Sequence, residues 1–291
     1  MKAIDPHSHA YLAAPRAMLD VGTARIAYRR FGSGPPLLLV HGFPLSGFTW
    51  RKVLPRLAER YACYAVDLPG LGETEWTAAT DFSFPGQGRT LKAFVDRLGL
   101  DRFSVLAHDT GGTFARYLAL EDPTRVRKLV LINTEMPHHR PPWIPLYQRL
   151  AALPMTVTSF GWLLRLAPYR RSSLAYGPCF EDAQLLDDDF LDCFVAPLLA
   201  SSRRIDGVMR YLRGIDWSLI DGLATRHREL TKGVLMIWGA RDTVFPVEHA
   251  RAMVPQFQGA GRLLEVPDAR FLVHEERPDR VAEAVQSFLT G

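Results

Sequence analysis

Cysteine is scarce in this chain: only Cys63, Cys179 and Cys193 occur in 291 residues. Their number is odd and they lie far apart, which excludes a disulfide framework or a cysteine metal cluster as an organising feature. Such sparse thiol use leads to the expectation of a reducing, cytoplasmic setting. The N-terminus lacks the continuous apolar segment of a signal peptide, and no run is long and apolar enough to cross a bilayer. A membrane partner is therefore not expected. An excess of one charge is also lacking, since 35 Lys and Arg against 31 Asp and Glu leave a formal charge of +4. The arginines are scattered, although Arg165, Arg170, Arg171, Arg203 and Arg204 surround one segment. No helix-turn-helix, zinc-finger or aromatic-interleaved basic pattern accompanies them, so no nucleic-acid partner is expected. Repeats and low-complexity tracts are missing. Asp67-Leu-Pro-Gly-Leu-Gly72 has the wrong context and spacing for a dinucleotide fingerprint. Neither a cofactor nor a metal is expected.

What the chain does have is apolar material, 47% of its residues, enough for a sizeable core. Leu37 to Val40, Tyr61 to Val66, Phe103 to Ala107 and Val126 to Ile132 read as strands. The run at 37–40 is continuously apolar, as strands buried on both faces are. Helical spacing covers 50–60, 87–98 and 111–121. The first twenty residues read as loop, and 21–30 as an edge strand of a hairpin. This alternation predicts an α/β fold with a mainly parallel sheet flanked by helices. It breaks near Asn133. Residues 135–230 are rich in Pro, aromatics and short helical runs. Val234 to Trp238 then restores a strand, followed by a helix at 246–254, a strand at 263–266 and a helix at 278–289. The division expected is a core at 1–134, a helical cap at 135–230 and the rest of the core at 231–291. Such a cap covers the carboxyl ends of the strands, where open sheets bind ligands.

The chemistry is concentrated in Ser104-Val-Leu-Ala-His-Asp109-Thr-Gly-Gly112. A strand, a tight turn and a glycine-rich helix start place a carboxylate at the apex. An aspartate attacks a carbon electrophile to leave an alkyl ester, which water must then cleave. The bland alternative is a helix cap. Thr110 offers a backbone amide as an oxyanion or halide donor, while His108 packs beside the turn. His41-Gly42-Phe43-Pro44 ends the preceding buried strand. Its Phe43 amide is a second donor candidate and its ring a pocket wall; His41 suits loop support better than proton transfer. Asp242, after the strand at 234–238, is placed to orient a histidine, with Glu135 as a fallback acid and Asn133 as a loop residue. A base is expected after the last strand. His274 is the candidate there, because His249 falls in a helix before that strand.

These residues together resemble the α/β-hydrolase superfamily, and the resemblance runs along nearly the whole chain. The nearest likeness is the epoxide hydrolase and haloalkane dehalogenase branch, with its His-Asp-x-Gly turn, here His108-Asp109-Thr110-Gly111. It implies an α/β-hydrolase fold with a helical cap, Asp109 as nucleophile and Asp242 as charge-relay partner. The His41 to Pro44 motif is more similar to epoxide hydrolases. Two departures stand out. Thr110 occupies the place of a tryptophan that helps hold halide in haloalkane dehalogenases. Phe271 falls where the family has its histidine, or Arg270 if the gap is shifted; neither is a general base at neutral pH. The epoxide likeness also implies a cap tyrosine that protonates the opening oxygen. Tyr211 is the first match, with Tyr147 and Tyr176 behind it, and each is alternatively a packing residue. Trp143, Trp162 and Trp217 line a pocket or fill the cap. The expectation is an epoxide hydrolase-like enzyme for a small apolar epoxide, impaired in ester hydrolysis if His274 does not serve. The alternatives are a haloalkane or haloacid dehalogenase acting on an organohalide, and a non-catalytic binder. A homodimer is left open.

Overall fold

The computed structural model describes residues 5–141, 143–150, 159, 162–186, 190–258 and 261–291. Its centre is one nine-stranded sheet. The strands are β1 (Arg16–Asp20), β2 (Ala24–Phe31), β3 (Pro36–Val40), β4 (Ala62–Val66), β5 (Glu75–Trp76), β6 (Phe103–His108), β7 (Val126–Ile132), β8 (Gly233–Gly239) and β9 (Gly261–Val266). They run in the order β1-β2-β4-β3-β6-β7-β8-β9, with β5 on β2. All pairings from β4 to β9 are parallel, while β2 pairs antiparallel with β1, β4 and β5. The apolar runs explain the order. Leu37, Leu38, Leu39 and Val40 are fully buried, as only a central strand covered on both faces can be. β3, β6, β7 and β8 therefore sit side by side, and their carboxyl ends open on one edge of the sheet.

Helices cover the faces. The helix Phe84–Arg97 begins where Ser83 accepts from Gly86 N at 3.1 Å and Pro85 fits the first turn. It packs on the helix Thr110–Glu121 that leaves β6. Between β7 and β8 the described residues form only helices and turns, including Trp143–Leu150, Ser202–Arg213 and Trp217–Arg226. Among the described residues no helix is long and apolar enough to cross a membrane.

Two local expectations differ from the structure. The first twenty residues are not all loop: Pro6–Ala13 is a helix and Arg16–Asp20 is the edge strand of the hairpin with β2. The helix buries only Ser8 and Tyr11, so it carries almost no amphipathic signal. Tyr11 anchors it against Phe31 and Phe48, with ring centroids 5.5 and 5.4 Å away. The helix expected over 50–60 is split into a 3-10 turn at Gly47–Trp50 and a short helix at Leu54–Leu57. Pro55 has no N–H to extend a helix from residue 51 and restricts Leu54 before it.

Candidate active site

The carboxyl ends of β3, β6, β7, β8 and β9 build the site. β6 delivers Asp109 on a turn with φ 53 and ψ −135, a backbone region costly for a side chain, at about 1–3 kcal/mol. Neighbours hold it there. Asp109 N donates to Ile132 O and Asn133 O at 3.2 Å each, and Thr134 Oγ1 donates to Asp109 O at 2.7 Å. Two glycines make room for the turn. A Cβ on Gly42 would lie 2.3 Å from Asp109 Cβ, and one on Gly111 2.3 Å from His41 O. Phe43 N donates to Asp109 Oδ2 at 2.7 Å, and the Thr110 N–H also serves this carboxylate. Both backbone donors expected for an oxyanion are thus aimed at Asp109. Its carboxyl is pushed well above the usual range, by burial first and by the nearby Glu135 charge second.

The carboxylate faces a cavity of about 380 Å³ between the strand ends and the helical segment. Asp109, Thr110 and Glu135 line it together with Phe43, and Trp143, Tyr147 and Tyr176 contribute from the helical side. Most of the remaining walls are apolar or aromatic, which suits a small apolar guest. Tyr147 spends its hydroxyl on Leu174 O. Tyr176 packs edge-on against Phe190 at 4.7 Å, and its hydroxyl has no hydrogen bond to the described residues. Trp162 is exposed and is not part of the lining, whereas Trp217 is.

β8 delivers Asp242. Asn133 Nδ2 donates to its Oδ2 at 2.7 Å, Val244 N donates to its Oδ1 at 2.7 Å, and the Phe245 N–H adds a third bond. Burial still dominates and lifts the Asp242 carboxyl to about 7. The loop after β9 crosses this one: Arg241 N donates to Ala269 O at 3.0 Å, and a Cβ on Gly239 would sit 2.0 Å from Arg270 O. This crossing brings Phe271 to the cavity wall, its ring 5.7 Å from Phe245 and 4.6 Å from His108. Position 271 therefore meets the cavity beside the Asp242 loop and presents a hydrocarbon ring there. Arg270 turns away and pairs with Glu181 at 2.8 Å.

His274 corrects one expectation. It is fully buried in the short helix Val273–Glu276, its Nε2 is 2.7 Å from Thr49 Oγ1, and it does not line the cavity. Three residues beyond Phe271, the helical turn carries it to the far side, against Trp50 at 4.8 Å and His108 at 4.5 Å. Burial, then Arg51 and Lys52, hold the ring neutral down to about 3. Tyr211 corrects another. Its hydroxyl is 2.6 Å from Thr110 Oγ1 and its ring stacks on Phe43 at 5.2 Å, behind the lining rather than in it. His41 is a loop support: Leu68 N donates to its Nε2 at 2.9 Å, and its Nδ1 lies 2.8 Å from Gly42 O. His108 points away from Asp109 and reaches Phe271 O at 3.2 Å. Among the described residues no histidine lines the cavity.

The position of His274 makes a pH prediction. Its folded value lies below the unfolded one, so the unfolded chain binds the proton first as pH falls. Stability relative to a His274→Gln variant, which keeps a polar partner for Thr49, is full above about 6.5. It then drops by about 1.4 kcal/mol per pH unit towards about 3. Urea midpoints measured for both proteins at pH 7.5, 6 and 5 check this; parallel curves would mean that His274 takes up its proton in the folded state.

Sequence reading missed the support beneath Glu135. Thr113 Oγ1 donates to Glu135 Oε2 at 2.7 Å, and Thr134 Oγ1 lies 3.1 Å from the same oxygen. The fully buried Arg116 donates to Thr113 Oγ1 at 2.7 Å and to Glu135 O at 2.8 Å. Its other amino group lies 3.2 Å from His227 Nε2. A helical arginine ordinarily signals a solvated face, so no local pattern marks this network. Cys179 also lines the cavity unforeseen. Burial and the charges of Asp242 and Asp109 push its thiol well up, so it stays protonated.

Comparison with known proteins agrees with this fold. The profile of a family described as alpha/beta hydrolase fold matches residues 35–278. "Haloalkane dehalogenase 2" of Mycobacterium tuberculosis (strain ATCC 25618 / H37Rv) is 29% identical over 280 residues, covering 91% of this chain and 92% of that protein. "Soluble epoxide hydrolase" of Corynebacterium sp. (strain C12) is 38% identical over 109 residues, 38% of each chain. A crystal structure of an alpha/beta hydrolase fold protein from Burkholderia ambifaria superposes with a TM-score of 0.77 at 27% identity, covering 93% of this chain and 99% of that one.

Proposed function

Because the chain belongs to the α/β-hydrolase fold family, we propose that it opens a small apolar epoxide through an alkyl ester on Asp109. The carrying observation is the Asp109 carboxylate itself. One oxygen is pinned by Phe43 N at 2.7 Å, and the side chain lines a cavity whose walls are mostly apolar or aromatic. The second carboxylate oxygen attacks an epoxide carbon, and the carbon–oxygen bond of the ring breaks. The Tyr176 phenol, which lines the same cavity, supplies the proton to the departing oxygen and regains one from solvent. A hydroxyalkyl ester results, with its carbonyl oxygen at the Phe43 and Thr110 amides. Phe271 offers no base to activate water, so the ester forms faster than it is released.

The experiment is intact-protein mass spectrometry after incubation with styrene oxide at several pH values. The expected result is a single added mass equal to the epoxide, mapped to the peptide carrying Asp109. Labelling accelerates as pH rises, because burial and Glu135 keep the Asp109 proton on to a higher pH than in an ordinary aspartate. An unmodified protein, with no diol formed, moves the reading to a binder of apolar molecules. The dehalogenase likeness along 91% of the chain supports a second reading with the same first step. There an alkyl halide is attacked and halide leaves without a proton donor. Halide release from 1-bromobutane, with styrene oxide left untouched, would select it.

A further inference from the structure

We propose that Glu135 is the proton acceptor that releases the ester in this chain. This rests on the Asp109 ester proposed above. The inference comes from asking which groups of the cavity remain able to take a proton once Asp109 is esterified. Among the described residues, the titratable groups lining the cavity are Asp109, Glu135, Cys179 and the tyrosines Tyr147, Tyr169 and Tyr176. Burial pushes the Cys179 thiol and all three phenols upward, so they arrive protonated. Asp242 sits behind the lining, bonded to Asn133 and Val244. Glu135 is left.

Its placement suits the task. Thr134 Oγ1 lies 2.7 Å from Asp109 O and 3.1 Å from Glu135 Oε2, so one hydroxyl ties the two carboxylate residues together. Thr113 Oγ1 holds the same Oε2 at 2.7 Å, leaving Oε1 outside these hydroxyl bonds. Arg116 braces Thr113 and the Glu135 carbonyl from below. The side chain is buried yet borders the cavity, which fixes it better than a surface carboxylate. Burial raises the Glu135 carboxyl, making it a stronger base than an exposed glutamate. The remaining groups acting on it are Asp109, Arg116 and the Tyr211 phenol. Ester formation removes the Asp109 charge. Glu135 then ionises more readily, at the moment a base is required.

The step balances as follows. Water adds its oxygen to Cγ of the Asp109 ester while Glu135 takes one of its protons. The Phe43 and Thr110 amides hold the oxyanion. The bond from Cγ to the alkyl oxygen breaks, and the Glu135 proton passes to that oxygen, giving the diol. Asp109 emerges as a carboxylic acid and loses its proton to solvent.

The test uses the full chain loaded with styrene oxide and freed of excess reagent, with the adduct followed by intact mass in 18O-water. In the parent the adduct decays and 18O enters Asp109, faster as pH rises until Glu135 is ionised. Glu135→Gln is expected to label normally but to keep its adduct at least about ten times longer, with a flat pH profile. Thr113→Val keeps the carboxylate, loses one bond to its ionised form and moves the midpoint of the decay profile upward. It serves if the glutamine variant does not fold. Adducts of equal lifetime in parent and Glu135→Gln, or an unmoved midpoint in Thr113→Val, would overturn the role of Glu135 and leave the ester reading standing. The absence of any adduct and of any diol in all three proteins would instead remove the ester reading, and this role with it.

Discussion

Asp109→Asn is expected to lose ester formation by roughly a million-fold, the scale seen when a covalent nucleophile is removed while its surroundings stay in place. The amide oxygen of Asn keeps the acceptor for Phe43 N, so the cavity and its floor persist. Binding of an unreactive analogue such as ethylbenzene should survive, as ligand-induced thermal shifts would show. A companion substitution reads the other side of the same residue. Asp109 holds φ 53, and its carboxyl is buried beside Glu135. Asp109→Gly removes both the backbone strain and the buried acid, and glycine adopts this region without penalty. Stability should rise by about 1–3 kcal/mol while labelling vanishes. A loss of stability in the glycine variant would mean that the bond to Phe43 N outweighs the strain. Labelling that persists in Asp109→Asn would place the nucleophile elsewhere.

The parts of this fold that were legible in the sequence are those written in local signals. Leu37 to Val40 announces a buried parallel strand because both faces are covered, so nothing polar interrupts it, and Leu129 to Ile132 does the same once Arg127 and Lys128 are passed. The elbow was legible because Asp109 falls between a buried strand and a glycine-rich helix start within the strand–helix alternation. Phe43, Thr110, Trp143, Tyr147 and Tyr176, read as pocket candidates, line the cavity with Phe271, whereas His41, read with them, supports the loop behind it. The failures share a cause: orientation is set by tertiary packing. Val208, Met209 and Leu212 of the helix Ser202–Arg213 face the cavity, while Tyr211 turns to Phe43 and Phe114. His274 lies only three residues from Phe271, yet a short helical turn puts it against Thr49. The Arg116 network joins its own helix, the end of β7 and the turn at His227 through contacts 18 to 111 residues apart, which no window of sequence displays.

Phe271→His is the second large effect expected. The new imidazole would stand at the cavity wall, on a loop already locked over the Asp242 loop by the bond from Arg241 N to Ala269 O. Asp242 accepts from Asn133, Val244 and Phe245, and a carboxylate has room for one further donor. A ring N–H there fixes the tautomer and leaves the other nitrogen for water. The cation formed on proton uptake would pull the Asp242 carboxyl back down from about 7, so the pair stabilises its own charged state. Ester release should accelerate by at least about a hundredfold, within the usual range for a positioned general base. The adduct would then no longer accumulate, and styrene oxide would be turned over repeatedly to diol. Phe271→Leu provides the control, because it vacates similar space without adding a base and should leave the adduct as long-lived as in the parent. Adding Asp242→Ala to Phe271→His should remove most of the gain. Equal acceleration with leucine would mean that Phe271 merely excludes water. Acceleration that survives loss of Asp242 would mean that the new histidine works without a charge partner. No acceleration in the histidine variant would show that the loop at 271 does not present its side chain to the ester, and the slow step would then have a cause other than the phenyl ring.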